Sequence, residues 1–440
     1  MWGAPAGPGR PSAFRGKGVV LAIGEVGAMA AGAEADPMPR AGRDAYRAAR
    51  RKEAMRSLAF ALPLLVFLVA VFLYPIGALL LRSVQSEDVA AALPRVSAGL
   101  AAWSGAALPP SPVFEALAAD IAAAQERGTL VSAARRLNTY EPGFRSLILK
   151  TARRLPDPAA GPVAPAFVAI DPRWGETETW HFIQRASARI TPDYLLAAID
   201  LRAGPRGLSE LPPDQRIYQA AFARTFLISG TVTLLCLILG YPVAYLLATL
   251  PPRQSNRLMI FVIVPFWTSL LVRTTAWYVL LQPNGVVNAL LAQAGLTREP
   301  LALMFNRTGV LVGMTHVLLP FMILANYAVM RGISPSYQRA AVSLGAHPAI
   351  AFLRVYVPQT LPGIGTGTFL VFVLAIGYYI TPALLGGGGD EMISQLIAFQ
   401  MDRQLNWGLA GALSVYLVLL TLAVYFVFNH FVGVDRLRLG

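Results

Sequence analysis

Six long apolar runs restrict this chain to folds that cross a lipid bilayer. A helix needs about 20 apolar residues to span the hydrocarbon, where only hydrogen bonds within the segment can satisfy its backbone. Residues 58–81 are uncharged and end at Arg82, and residues 225–250 follow Arg224 and stop at Pro251 and Pro252. Residues 258–281 are interrupted only by Arg273, 308–330 only by polar groups such as His316, 362–385 run into a stretch of glycines, and the last run covers 407–434. Hydrophobic residues form 55% of the 440 and charged residues 14%, against about a quarter charged in soluble domains. The expected fold is therefore all-α and polytopic. Tyr74, Trp277, Tyr278, Trp407 and Tyr425 fall toward the ends of their runs, as an interfacial aromatic belt requires.

Basic residues in short flanks set the orientation. Residues 40–56 carry seven of them, Arg40 to Arg56, against Asp44 and Glu53, which keeps that end in the cytosol. With six spans the segments 251–257, 331–361 and 435–440 return to the same side, and all three are basic, through Arg253, Arg257, Arg331, Arg339, Arg354, Arg436 and Arg438. Both termini are thus expected in the cytosol. Residues 1–57 form a basic, largely disordered tail, whose first 37 residues are rich in Gly, Ala and Pro and are not read as a signal peptide. Met38 and Met55 are alternative starts.

Residues 83–223 make too long a segment for a connector. Phe114, Leu117, Ile121 and Leu130 recur at helical spacing within it. It is expected to be a small helical domain outside the membrane, divided by proline-rich patches at 109–112 and 156–165. Two readings stay open: a docking surface for a soluble partner, or an insertion that caps a pore.

Other function classes find little support. The net charge of +13 sits in the tail and loops instead of on an aromatic-studded face, which argues against nucleic acid. Cys236 is the single cysteine, and His181, His316, His347 and His430 lack ligand spacing, so no metal site is expected. Ser132, His181, Glu176 and Glu178 show no catalytic spacing. A secondary transporter would place acids at mid-membrane, and none occurs between Asp214 and Glu299 or between Glu299 and Asp390. A channel-like protein tolerates acid-free spans but has no use for a docking loop. The chain also lacks the Gly-x-x-x-x-Gly-Lys-Ser/Thr phosphate loop, so nucleotide chemistry is not expected here.

The loop 331–361 carries the most information. Ser336 is placed to cap a short helix through Leu344, with Ala340, Ala341 and Leu344 on one face. Gly345 supplies the positive φ of a helix C-cap, and Pro348 opens a second helix. Small residues let a partner backbone approach, and Leu344 offers a knob for a groove. Ala340-Ala341, Gly345 and Leu361-Pro362-Gly363 resemble the EAA loop of ABC importer permeases. Arg339 stands where that family usually has glutamate. Gly240-Tyr241-Pro242-Val243-Ala244-Tyr245, Pro265-Phe266-Trp267-Thr268-Ser269, Pro283-Asn284-Gly285, His316 to Met322 and Gly386 to Asp390 narrow the resemblance to spermidine/putrescine-type permeases. It covers residues 58–82 and 215–434.

This resemblance implies six helices of type I importer architecture in a bacterial inner membrane. It implies a pair of ATP-binding subunits that carry ATP and Mg, a second permease subunit and a periplasmic solute-binding protein, with lipid around them. Arg339, Ala340, Ala341, Leu344, Gly345, Pro362 and Gly363 become the expected ATPase-coupling residues. A polyamine would look for carboxylates and aromatic faces, which selects Trp267, Trp277, Tyr378, Tyr379, Asp390 and Glu391. Arg273, counted about 22 Å into a straight span, is a substrate-pathway candidate that either shapes a gate or contacts the solute-delivery protein, or else snorkels to the outer interface. Pro242, Pro265 and Pro320 mark either pathway breaks or packing kinks.

Overall fold

The computed structural model describes residues 59–86, 88–140, 143–156, 161–204, 207–213 and 216–432. The tail 1–57 with its basic cluster and alternative starts, and the segment 435–440, lie outside the described residues. The chain divides into two units at Pro75. Of the first, residues 59–75 begin helix α1 (Ala59–Leu81), and every one of them is exposed. An apolar helix with no buried face belongs in lipid or against another subunit. Pro75 has no N–H to give, and the helix widens before it into a π turn, Val69–Leu73, in which the Tyr74 N–H donates to the Val69 carbonyl.

In the second unit, residues 88–204 build the expected helical domain. Its helices are α2 (Asp88–Ala92), α3 (Pro94–Ala101), α4 (Ser111–Glu126), α5 (Leu130–Tyr140), α6 (Phe144–Arg153), α7 (Val163–Ile170), α8 (Thr177–Ala186) and α9 (Asp193–Ala197). Phe114, Leu117, Ile121 and Leu130 all lie in its core, as their spacing requires. Trp174 and Trp180 are fully buried at the centre, their rings 5.4 Å apart, with Phe114 edge-on to Trp180 at 4.6 Å. Each indole N–H is satisfied, Trp174 by Thr151 Oγ1 at 2.9 Å and Trp180 by the Trp174 carbonyl at 3.1 Å. Buried carboxylates serve as caps. Asp120 accepts the N–H groups of Arg95 and Val96 at the start of α3, and burial raises its pKa above the ordinary carboxylate value in spite of them. Asp171 bonds the Arg173 side chain at 3.0 Å and Lys150 at 3.1 Å. Chiefly through Arg173, its carboxyl is held well below the ordinary range. An antiparallel hairpin, β1 (Leu201–Gly204) with β2 (Gly207–Glu210), follows the helices and was not foreseen in an all-α reading.

The carboxylate of Asp200 accepts the N–H groups of Ile217, Tyr218 and Gln219. Those donors have no partner inside a helix, so this distant cap fixes where α10 (Tyr218–Thr249) begins, seven residues before the sequence places its span. Its 32 residues give a rod of about 48 Å. Around it pack α14 (Arg307–Met330), which follows the short α13 (Val286–Gln293), and α16 (Pro348–Ile376). Gly363 and Gly367 of α16 are buried where a Cβ would meet Val329 at 3.1 Å and the Met322 sulfur at 2.8 Å, so the backbones of α16 and α14 approach closely, as small residues permit in membranes. A last helix, α19 (Trp407–Val432), follows α18 (Ile393–Asp402).

Two spans depart from their expected form. The run 258–281 is not one straight helix: α11 (Pro252–Ile263) and a 3₁₀ turn at Val264–Trp267 meet α12 (Leu270–Leu280) at 97°. Pro265 removes a donor at the turn, and Thr268 and Ser269 are extended, with ψ of 142° and 139°. The straight-span depth of Arg273 therefore does not hold. The fifth span begins at Pro348, not 362, and ends at Ile376, with Gly377 as its cap. Residues 380–385 form a separate short helix, α17 (Ile380–Leu385). As in α1, a π turn, Phe352–Tyr356, precedes a proline, here Pro358. Among the described residues, five helices are long and apolar enough to span a membrane, or six if the bent pair is one span.

Candidate functional site

Most of the stretch read as a loop between spans is helix. Ser334, not Ser336, turns the chain into α15 (Ser336–Ser343): its Oγ accepts the Ser336 N–H at 3.3 Å, and Pro335 holds the N-cap position. The other end closes as expected. Gly345 has φ of +92°, its N–H bonds the Val342 carbonyl at 2.9 Å, and the Ala346 N–H reaches the Ala341 carbonyl at 3.1 Å. This paired arrangement is the Schellman motif, which needs a residue free to adopt positive φ. Next, His347 Nδ1 accepts the Ala349 N–H, and Pro348 starts α16.

Leu344 is 90% exposed at the tip, and Tyr337, Val342, Ile350 and Leu353 are exposed around it. Apolar side chains so grouped, in a knob with no core of its own, mark a contact surface. Ala340 is exposed, Ala341 is half-buried, and Arg339 is exposed with no acidic partner among the described residues. Beside the helix lies a hollow of about 730 Å³ whose walls include Tyr245, Arg339, Val342, Pro348 and Phe352. Pro362 and Gly363 do not belong to this knob. They lie inside α16, with Gly363 against Asn326 and Val329.

The knob is fixed to the bundle by three aromatic rings that the sequence reading missed. Tyr245, near the end of α10, stands edge-on to Phe352 and Tyr356, both at 5.2 Å, and those two stack at 5.6 Å. The signal in the sequence was an aromatic pair spaced i, i+4 where a tyrosine closes the preceding span. The rings thus tie the end of α10 to the first turns of α16, just beyond α15.

Of the other selected residues, one group comes together and one does not. Arg273 of α12 stands one turn before Trp277, His316 lies on α14, and Tyr378 lies two residues before α17. Trp277 meets the His316 ring edge-on at 5.5 Å. Thr274 and Thr381 hydroxyls, 3.3 Å apart, tie α12 to α17 beside them. Trp267 stands apart at the bend, 87% exposed, and Tyr379 is also exposed. Asp390 is held by Arg307 at 3.1 Å, and Arg224 bonds the carbonyls of Gly389 and Glu391. The rim carboxylate of Asp390 is therefore already neutralised.

A bent, multi-span helical bundle with an exposed short helix at one end and a folded domain at the other defines a polytopic helical membrane protein. The description "binding-protein-dependent transport system inner membrane component" matches residues 227–434. The chain is 32% identical over 212 residues to the spermidine/putrescine transport system permease protein PotB of Haemophilus influenzae, covering 48% of this chain and 74% of that one. It is 35% identical over 196 residues to PotB of Escherichia coli, covering 44% and 71%. Among solved structures, a bacterial ABC transporter involved in the import of the acidic polysaccharide alginate aligns over 49% of this chain and 78% of that one, with 18% identity and a TM-score of 0.42. The chain belongs to the binding-protein-dependent transport system inner membrane component family. It is a non-catalytic, multi-pass inner-membrane permease subunit of an ABC importer.

Proposed function

We propose that this chain forms one half of the pore of an importer for a small amine solute, either a polyamine, as its relatives' names state for them, or an amino-acid-derived relative of one. A periplasmic binding protein delivers solute to the side of the 88–204 domain. A pair of ATPase subunits, which hold ATP and Mg, closes against α15 on the cytosolic side, where both termini lie. A second permease subunit completes the pore, and the assembly alternates between outward and inward openings. Arg339, Ala340, Ala341, Leu344 and Gly345 make the ATPase contact, while Gly363 and Pro362 carry its motion along α16. Because Arg339 replaces the family's glutamate, it requires an acidic partner on the ATPase.

The observation that carries this reading is the exposure of Leu344 at the end of a rigidly capped helix. Leu344→Glu puts a charge there without disturbing any buried contact. In proteoliposomes containing the whole importer, ATP-dependent uptake should fall by about tenfold or more, with the amount of membrane-inserted protein unchanged. Undiminished uptake would overturn the docking assignment.

A further inference from the structure

The core helices hold an arginine that no acid among the described residues neutralises. No aspartate or glutamate occurs between Asp214 and Glu299 or between Glu299 and Asp390, and the Asp390 carboxylate is taken by Arg307. Arg273 sits one turn past the bend that opens α12. Its Nε is buried without a hydrogen-bond partner, and its guanidinium makes no ion pair among the described residues. His316 Nδ1 is likewise buried and unpartnered. Pro320, four residues on, lacks the N–H that would ordinarily bond the His316 carbonyl. Polar atoms left unsatisfied in a membrane protein are costly and persist where they meet a ligand or a water-filled path. A guanidinium suits a planar oxyanion, which it binds through two parallel bonds. The faces of Trp277 and Tyr378 and the freed carbonyl suit an ammonium.

We propose that Arg273 and His316 receive a carboxylate at the α12 bend, so that the solute is an amine bearing an acid group and not a bare polyamine. This rests on the importer reading above and narrows its solute. A simple di- or triamine brings only positive charge to a site that already carries one, whereas a zwitterion meets a donor for its acid and aromatic faces for its amine.

Putrescine and ornithine test this directly, because they differ by a single α-carboxylate. Equilibrium binding of each to the detergent-purified importer, assembled with its partner membrane and ATPase subunits but without the binding protein, should favour ornithine by about tenfold or more. Arg273→Ala should abolish that preference by weakening ornithine alone, and Arg273→Lys should keep part of it, since it retains charge but loses the planar fork. Co-purification with the ATPase reports that each variant is assembled; should one fail to assemble, the wild-type ratio decides. Equal or tighter binding of putrescine, or binding of neither compound, overturns the proposal. So does an unchanged ratio in Arg273→Ala, the result expected if Arg273 pairs instead with an acid of the second permease. Failure of the importer reading would register separately, as no ATP-dependent uptake by the wild-type assembly.

Discussion

The domain of residues 88–204 and the bundle of residues 218–432 solve opposite problems. The domain encloses an aromatic core, turns most of its charges outward, and buries carboxylates where they cap a helix or meet a cation, as with Asp120 and Asp171. The bundle reverses this. Its outer faces carry Leu234, Ile238, Leu239 and Leu246, while its interior has close-packed glycines and the unsatisfied polar atoms of Ser229, Thr315 and His316. Water drives the first to fold. In lipid that force is absent between helices, and contact geometry takes its place. The family match follows the same division, covering 227–434 and leaving the domain outside. Transport machinery therefore belongs to the bundle, and the domain stands on it through its own contacts: the Arg135 guanidinium donates to the Gln404 carbonyl at 2.8 Å, and Tyr194 of α9 is buried in one cluster with Ile393 and Leu409.

If the two regions are stabilised independently, each should be breakable alone. Trp180→Ala removes the centre of the aromatic core and should destabilise the domain by about 3–5 kcal/mol, seen as rapid proteolysis within 88–204 while fragments containing α10 to α19 stay intact in the membrane. Loss of the whole chain would mean that the bundle depends on the domain. Gly367→Leu drives a side chain into Met322 and Asn326 and should cost the bundle about 1–3 kcal/mol, lowering its thermal unfolding in detergent but sparing tryptophan fluorescence from the domain. Asp200→Ala tests the joint between the regions. Removing a cap shared by three N–H groups should cost about 1–2 kcal/mol, read as faster hydrogen exchange confined to the first turn of α10.

The smallest effect concerns pH. Asp171 has a lowered pKa in the fold, so the folded domain binds fewer protons there than the unfolded chain does. Its stabilisation is complete above the unfolded carboxylate value of about 4 and fades as pH falls from there through the lowered folded value. Asp171→Asn should remove that acid-side slope and lower neutral-pH stability by under about 1 kcal/mol, because Lys150 and Arg173 are partly exposed and solvent screens them. Acid titrations of domain unfolding that superimpose for the two proteins would show that the pair contributes nothing.

What could be read in advance was periodic or local. Uninterrupted apolar runs located α1, α10, α14 and α19, and a glycine after a small-residue helix gave the Gly345 cap. The bend at Thr268 and Ser269 stayed hidden because hydropathy is blind to backbone direction, so Pro265 looked like one more tolerated membrane proline. Asp200 as a cap, the rings of Tyr245, Phe352 and Tyr356, and the Arg307 to Asp390 pair join residues remote in sequence, and spacing along the chain carries no trace of them. Among the site candidates, Trp277 met His316 one turn from Arg273, whereas Asp390 had to be given up as a free acid.

The π turn in α16 makes the helix a device for setting phase. A π turn holds one residue more than an α-helix would use over the same rise, so every side chain beyond it is advanced by about 100° in azimuth. Gly363 and Gly367 point at α14 because of that surplus residue. Deleting one residue between Phe352 and Tyr356 would rotate both glycines off the contact while leaving the Gly345 cap, which lies before the π turn, in place.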